Sequence, residues 1–202
     1  MGYFPFYMDI KNENCLVVGG GTVALRKVEK LLPFEPVIKV VAPVICRDIA
    51  DLGVEMHRRA FDDSDLDDVF AVITATDCPE LNRHIFELCR QRHILVNTVD
   101  DIHHCGFIFP AIVKRKNITI GISTEGKSPL YAQYLRQKTE SIIDENCDKI
   151  TDILSSCRQI IKREIPTEEN RKKALEAILR LCIDNTDSVS ETIIETIIGE
   201  YR

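Results

Sequence analysis

Long hydrophobic runs are missing from this chain. No apolar stretch approaches the ~20 residues of a membrane-spanning helix, and the N-terminus lacks the basic-then-apolar layout of a secretory signal. An excess of positive charge is missing too. Lys and Arg total 26 against 32 Asp and Glu, for a net charge of −6, which removes the general electrostatic case for nucleic acid. Cysteine is plentiful, but Cys15, Cys46, Cys78, Cys89, Cys105, Cys147, Cys157 and Cys182 include no CxxC pair. They read as small core hydrophobes in a reducing compartment, not as a zinc or disulfide framework. The acidic run Asp62-Asp63-Ser64-Asp65-Leu66-Asp67-Asp68 lacks the glycine and terminal glutamate of a calcium loop, which leaves a capped, solvated helical turn. No internal repeat or low-complexity segment is present. Together these absences predict a cytoplasmic protein with no membrane or nucleic-acid partner and no bound metal.

What is present suffices for a folded core: 45% of the 202 residues are hydrophobic, enough for one ordinary domain and a smaller one. The organising stretch is Cys15-Leu16-Val17-Val18-Gly19-Gly20-Gly21-Thr22-Val23-Ala24. An apolar run meets three glycines, and behind them Ala24, Val28, Leu31 and Leu32 recur at helical spacing, so the segment reads strand, tight turn, helix. In a dinucleotide-binding unit Gly19 takes the turn's unusual dihedrals, Gly21 leaves room for a pyrophosphate, and Ala24 lets the helix sit close on the strand. The phosphates then rest on the helix N-terminus.

Residues 3–9 are aromatic-rich and read as an extended arm packed across the domain. Val37–Val41 is a second buried strand; at its end, where a ribose-binding acid often stands, the chain has Ala42-Pro43-Val44. NAD and NADP are therefore not distinguished at that position. Asp48–Leu52 forms a short helix, Val54–Arg58 a strand, and Val69–Ala75 a central strand ending in Thr74-Ala75-Thr76-Asp77. Pro79 opens a helix with Leu81, Ile85, Leu88 and Cys89 on one face, and Ile94–Val96 is the next strand. Strand and helix alternate, which predicts a Rossmann-type α/β domain with a doubly wound parallel sheet. Three polar clusters sit at strand ends: Gly19–Thr22, Thr74–Asp77 and Asn97–Asp101. In such a sheet the ligand lies beyond the carboxyl ends of the strands, so all three should face one crevice. Taken singly, Asn97 or Asp77 more often pins a turn than does chemistry.

After Asp101 the alternation stops. Phe107–Val113 and Ile118–Ser123 read as two strands of a hairpin turning at Lys114-Arg115-Lys116-Asn117. A long helix follows, capped by Ser128 with Pro129 in its first turn, and Tyr131, Leu135 and Ile142 continue its apolar stripe. From about 144 the chain reads as charged helices: one to Ile165, one from Thr167 to Ile183, and one through Ile193, Ile194, Ile197 and Ile198.

These residues resemble the precorrin-2 dehydrogenase family, which includes the N-terminal half of siroheme synthase and bifunctional dehydrogenase-ferrochelatases. The resemblance is carried by Cys15–Ala24 with Arg26-Lys27, by Thr74–Asp77, by Asn97-Thr98-Val99-Asp100, and by Phe107–Ile112 with Ile122–Pro129. It covers residues 1 to about 140. It implies NAD-dependent oxidation of precorrin-2 to sirohydrochlorin on the path to siroheme, and in some members insertion of ferrous iron at the same site. It implies cofactor contacts at Thr22, Val23, Pro43 and Val44, the last two through backbone, and places the essential aspartate at Asp100. With the strand-end reading, the cofactor set is Gly19, Gly21, Thr22, Val23, Pro43, Val44, Thr76 and Asp77. It also implies a homodimer built from residues 106–146, between an NAD-binding domain at 1–105 and a helical domain at 147–202; an exposed hairpin would otherwise leave its edges unpaired.

An acidic enzyme that takes a macrocycle fringed with carboxylates must gather cations locally. Lys114, Arg115, Lys116, Lys127 and Arg136 are the candidates, with Asn97 and Ser123 as polar substrate contacts. Asp101, next to Asp100, should matter much less unless the chain turns at once, because successive residues on extended backbone face opposite sides. His103 and His104 are adjacent, so they point apart more easily than they share a metal. The rival reading is a non-enzymatic NAD-sensing module, which needs the glycine turn but no carboxylate at the crevice.

Overall fold

The computed structural model describes residues 3–185 and 189–202, and these divide into two compact units, one ending at Phe109 and the other beginning at Pro110. In the first unit, strands β1 (Asn14–Val18), β2 (Val37–Val41), β3 (Glu55–His57), β4 (Ala71–Thr74) and β5 (Leu95–Thr98) form one sheet in the order β3-β2-β1-β4-β5. Every pairing is parallel. The order reverses on either side of β1, where a doubly wound sheet opens its crevice.

The pleat explains why these strands read as continuous apolar runs. Cys15 and Val17 of β1 face one side, where they join Ala24 and Val28 of helix α1 (Thr22–Leu31) and Ile49 of helix α2 (Arg47–Ala50). Leu16 and Val18 face the other side, with Ile85 and Cys89 of helix α3 (Pro79–Arg92) and Val96 of β5. A strand covered on both faces needs hydrophobes at every position. The aromatic arm does not pack as expected: Phe4 and Phe6 are 75% and 77% exposed. Their rings meet each other at 4.8 Å, and Ile10, just after the arm, packs partly buried against the core.

The acidic run is the expected capped turn, but it is not the solvated one expected, since Asp65 and Leu66 are buried. Asp62 accepts from the Ser64 N–H, and Asp65 accepts in return from the Asp62 N–H, both at 3.0 Å. Asp65 is 3% exposed and takes two bonds from the Arg59 guanidinium, at 2.6 and 2.7 Å, with Lys39 Nζ at 3.5 Å. The Arg59 hydrogen bond holds its carboxyl down at about 2, against 3.8 ordinarily. A depressed carboxylate stabilises the fold above its unfolded pKa, and that contribution is lost as pH falls from near 3.8 to about 2. Asp65→Asn is therefore predicted to cost about 2 kcal/mol at pH 7, measured as the urea midpoint. The gap to the parent should narrow toward pH 3; a gap of equal size at both pH values would contradict this role.

In the second unit, β6 (Ala111–Lys114) and β7 (Thr119–Ile122) pair antiparallel as the expected hairpin. The first strand is shorter than expected, because residues 105–107 turn back on β5 instead. The Gly106 N–H donates to Val96 O at 2.7 Å, and Asn97 Nδ2 donates to Phe107 O at 2.9 Å. Ser128 caps helix α4 (Pro129–Glu140) through the Tyr131 N–H. This helix stops before Ile142, since Asp144 accepts from the Asn146 and Cys147 N–H groups and starts helix α5 (Glu145–Glu164). Helices α6 (Glu168–Asp184) and α7 (Glu191–Glu200) then pack with α5 around Cys157, Ile161, Ala174, Ile178, Cys182 and Ile198.

Candidate active site

The glycine turn is held by its neighbours. Gly19 has φ +125°, and a Cβ there would lie 2.2 Å from Ala75 O. Gly20 is equally confined, since a Cβ on it would lie 2.0 Å from Val44 O, in the loop whose Cys46 N–H donates to Gly20 O at 2.9 Å. Gly21 is the opposite case: φ is −89° and nothing lies within 4 Å of a Cβ. Gly21 caps α1 without a side chain, and no acid stands in the first turn, so the N–H groups of that turn are left for an anion.

Gly21, Thr22 and Val23 form one wall of a cleft of 520 Å³; Ala75, Thr76 and Asp77 follow β4, and Thr98, Val99, Asp100 and Asp101 close β5. The three strand-end clusters thus converge, as the doubly wound sheet requires. The loop after β4 is shaped by Asn82, which accepts from Thr76 Oγ1 at 2.7 Å and donates to Thr76 O at 3.1 Å. The hydroxyls of Thr74 and Thr98, register partners at the ends of β4 and β5, are buried without a protein partner. Buried hydroxyls without a bond are costly, and Thr98 opens on the cleft. Open space at Gly21 and the first-turn N–H groups of α1, which no side chain caps, suit a dinucleotide.

Gly21, Thr22, Val23, Thr76, Asp77 and Asp100 line the cleft, and Gly19 is outside its walls, packed on Ala75 O. Pro43 and Val44 are exposed at the end of β2 and outside its walls. Asn97 is buried and committed: it donates to Phe107 O, lies 3.5 Å from Cys105 Sγ, and accepts from Lys27 Nζ at 3.4 Å. Desolvation of the half-buried Lys27 pushes its ammonium below the ordinary value, with Asp100 acting in the opposite sense. The basic candidates belong to the second unit, where most are already engaged. Lys114 Nζ donates to Arg115 O and Lys116 O, Arg115 to Ile143 O, Lys116 to Asp152 and Arg136 to Glu140. Ser123 Oγ accepts from the Glu125 N–H, and Lys127 is exposed.

Asp100 meets the condition under which its neighbour joins the site. Its φ is +60°, so the chain turns at once and Asp101 comes round to line the same cleft. There Asp101 caps the turn Ile102–His104, accepting from the His103 N–H at 3.1 Å, and lies 2.5 Å from His104 Nδ1. Sequence reading also missed Asn82, Arg83 and His104 as cleft residues. The first two stand in the opening turns of α3, and the i,i+3 spacing of Asp101 and His104 was the available signal for the third. Among the described residues no group of three or more His, Cys, Asp or Glu is placed to hold a metal ion.

A family model described as "Putative NAD(P)-binding" matches residues 6–111. The chain belongs to this NAD(P)-binding family. It is 41% identical over 183 residues to a siroheme synthase of Thioalkalivibrio sulfidiphilus, covering 89% of this chain and 37% of that protein. A siroheme synthase of Zymomonas mobilis is 40% identical over 176 residues, covering 85% and 37%. The chain thus spans little more than a third of these relatives. Among solved structures, SirC, a precorrin-2 dehydrogenase, is similar at a TM-score of 0.72 and 27% identity, over 98% of both chains. The Rossmann fold and the helical C-terminal region are shared with it.

Proposed function

We propose that this member of the family is an NAD-dependent precorrin-2 dehydrogenase, acting in the cytoplasm to form sirohydrochlorin for siroheme. The observation that carries the reading is the convergence of the glycine turn, the Thr76-Asp77 loop and Asp100 on one cleft. The similarity to SirC over nearly the whole of both chains supports it.

NAD, when bound, supplies the hydride acceptor. The first-turn N–H groups of α1 hold its pyrophosphate beside Gly21, Thr22 and Val23. Thr76 and Asp77 flank the cofactor from the β4 loop, and Pro43 and Val44 offer backbone at the end of β2. Asp100, on the tightly turned end of β5, meets the macrocycle and takes its proton or holds it for that step. Asn97 acts indirectly, since its amide fixes the loop that carries Asp100. Lys127 and Ser123 are the exposed candidates for the substrate's carboxylates, with Lys114, Arg115, Lys116 and Arg136 available where their present bonds exchange. Ferrous iron enters the reading as a second substrate, taken up by the product macrocycle.

The test is anaerobic incubation of the protein with precorrin-2 and NAD, following reduced nicotinamide and sirohydrochlorin together, with iron added afterwards. NAD binding without turnover would instead favour a sensor.

The stretch 106–146 is, in the same reading, the dimerisation region. Leu130, Tyr131, Tyr134 and Ile142 are all at least half exposed beside the hairpin, an apolar face suited to a second copy of the chain. Light scattering should return a dimer mass at micromolar concentration, and Tyr134→Glu should shift it toward monomer; a monomer mass for the parent would remove the idea.

A further inference from the structure

Asp101 and His104 form a carboxylate–imidazole pair on the wall of the cleft, and the role of Asp100 leaves that pair without a task. Several contacts fix it in place. Asp101 Oδ1 accepts from the His103 N–H at 3.1 Å, Asp101 O accepts from the His104 N–H at 3.2 Å, and Asp101 Oδ2 lies 2.5 Å from His104 Nδ1. The Cys105 thiol donates to Asp101 O and Thr98 O, each at 3.2 Å, which ties the turn to the end of β5. The His104 ring stands edge-on to Phe86 of α3, with centroids 4.8 Å apart at 85°. An imidazole held by an aromatic ring on one side and a carboxylate on the other has little rotational freedom.

The chemistry of the ring follows from the Asp101 contact. The hydrogen bond from His104 holds the Asp101 carboxyl below the usual carboxylate range, so Asp101 is an anion that can only accept, and Nδ1 carries the hydrogen. Nε2 is then the nitrogen with the free lone pair. His104 lines the same cleft as Asp100 and Gly21. A buried structural histidine would have both nitrogens satisfied by protein; this one uses one and is part of a cleft wall.

We propose that His104, oriented by Asp101, is the base that receives the proton released in the dehydrogenation, while Asp100 holds the macrocycle. The inference rests on the dehydrogenase reading. The oxidation breaks two bonds to hydrogen on the substrate. One hydrogen leaves with its bonding pair to the oxidised nicotinamide, which becomes reduced. The other leaves as a proton to Nε2, and the pair it leaves behind becomes the new double bond of the macrocycle. The imidazolium then returns the proton to water. An imidazole is a stronger base than a carboxylate, which suits it to receive a proton.

Charged groups that line the same pockets as the ring are Asp100 and Asp101 from its own loop and Arg83, Glu87 and Arg90 from α3. Asp101 is the one in contact, so its neutralisation should dominate the pH response. The experiment compares His104→Asn, His104→Gln, Asp101→Asn and His103→Gln, each corrected for folded fraction by circular dichroism. His104→Asn can still donate to Asp101 from the position of Nδ1 but has no base. Both His104 variants should lose about a hundredfold in kcat and lose the acid limb of the kcat/KM profile. Asp101→Asn should keep that limb and move it to lower pH, because the imidazolium has lost its anion. His103→Gln should match the parent. In the free protein, imidazole 15N shifts should report the proton on Nδ1 of His104, and this signature should weaken in Asp101→Asn.

Parent-like turnover in His104→Asn would mean that the ring only braces the turn, and the proposal would fall while the dehydrogenase reading stood. A proton found on Nε2 in the free protein would also overturn it. If the parent itself fails to oxidise precorrin-2, the underlying reading is what has failed, and the tautomer measurement still reports on the pair.

Discussion

Asp100→Asn is expected to lower turnover of precorrin-2, per folded molecule, by about two orders of magnitude or more, while NAD affinity stays at the parent value. The residue stands at the end of β5 with φ +60° and opens on the cleft. That dihedral decides which variant to use. Ala in the left-handed region carries a backbone cost of about 1 kcal/mol, whereas Asn tolerates it well, so Asn removes the charge and keeps the turn. Asp100→Ala should show the same loss of turnover with a lower melting temperature. If Asp100 only pins the turn, Asp100→Asn would keep near-parent turnover, and the catalytic assignment would be lost. Iron insertion measured in the same variant separates a chelatase role from dehydrogenation.

The second large effect is expected at the glycine turn, where neighbouring residues should fail in different ways. Gly21→Val should fold, because its φ of −89° is open to any residue and nothing lies within 4 Å of the new Cβ. It should bind NAD at least about a hundredfold more weakly, since the side chain enters the space beside the helix N-terminus where a pyrophosphate would lie. Gly19→Ala should fail earlier, in folding. Its φ of +125° and a Cβ 2.2 Å from Ala75 O force the β1 and β4 ends apart, at a cost of about 3 kcal/mol or more. Calorimetric titration with NAD and a thermal melt on both variants tell the two apart. Tight NAD binding by folded Gly21→Val would place the cofactor elsewhere.

The parallel sheet was legible because its cause is local. Leu16, Val17 and Val18 must be apolar to be covered on both faces, and Ser128 with Pro129 marks a helix start whatever surrounds it. The same holds for Asp62, whose capped turn needs only residues three positions away. The Phe107 strand was misread because its first residues bond to β5, and no local pattern announces a partner ten positions back. Ile142 was placed in a helix for a related reason: Asp144 competes for the next helix start, and the shared apolar spacing hides the boundary.

The sequence by itself determined the nucleotide turn, the alternation that makes the sheet parallel, and the arrival of three polar clusters at one crevice. Each follows from periodicity and from the rule that ligands meet the carboxyl ends of strands. Tertiary structure decided which side chains in those clusters are free to act. Asn97 is consumed by Phe107 O and Lys27, and Asp101 is brought into the cleft and set against His104 by the positive φ of Asp100. The sign of one backbone dihedral and the bonds of one buried amide depend on contacts made only once the chain has folded, so no spacing rule along the chain could supply them.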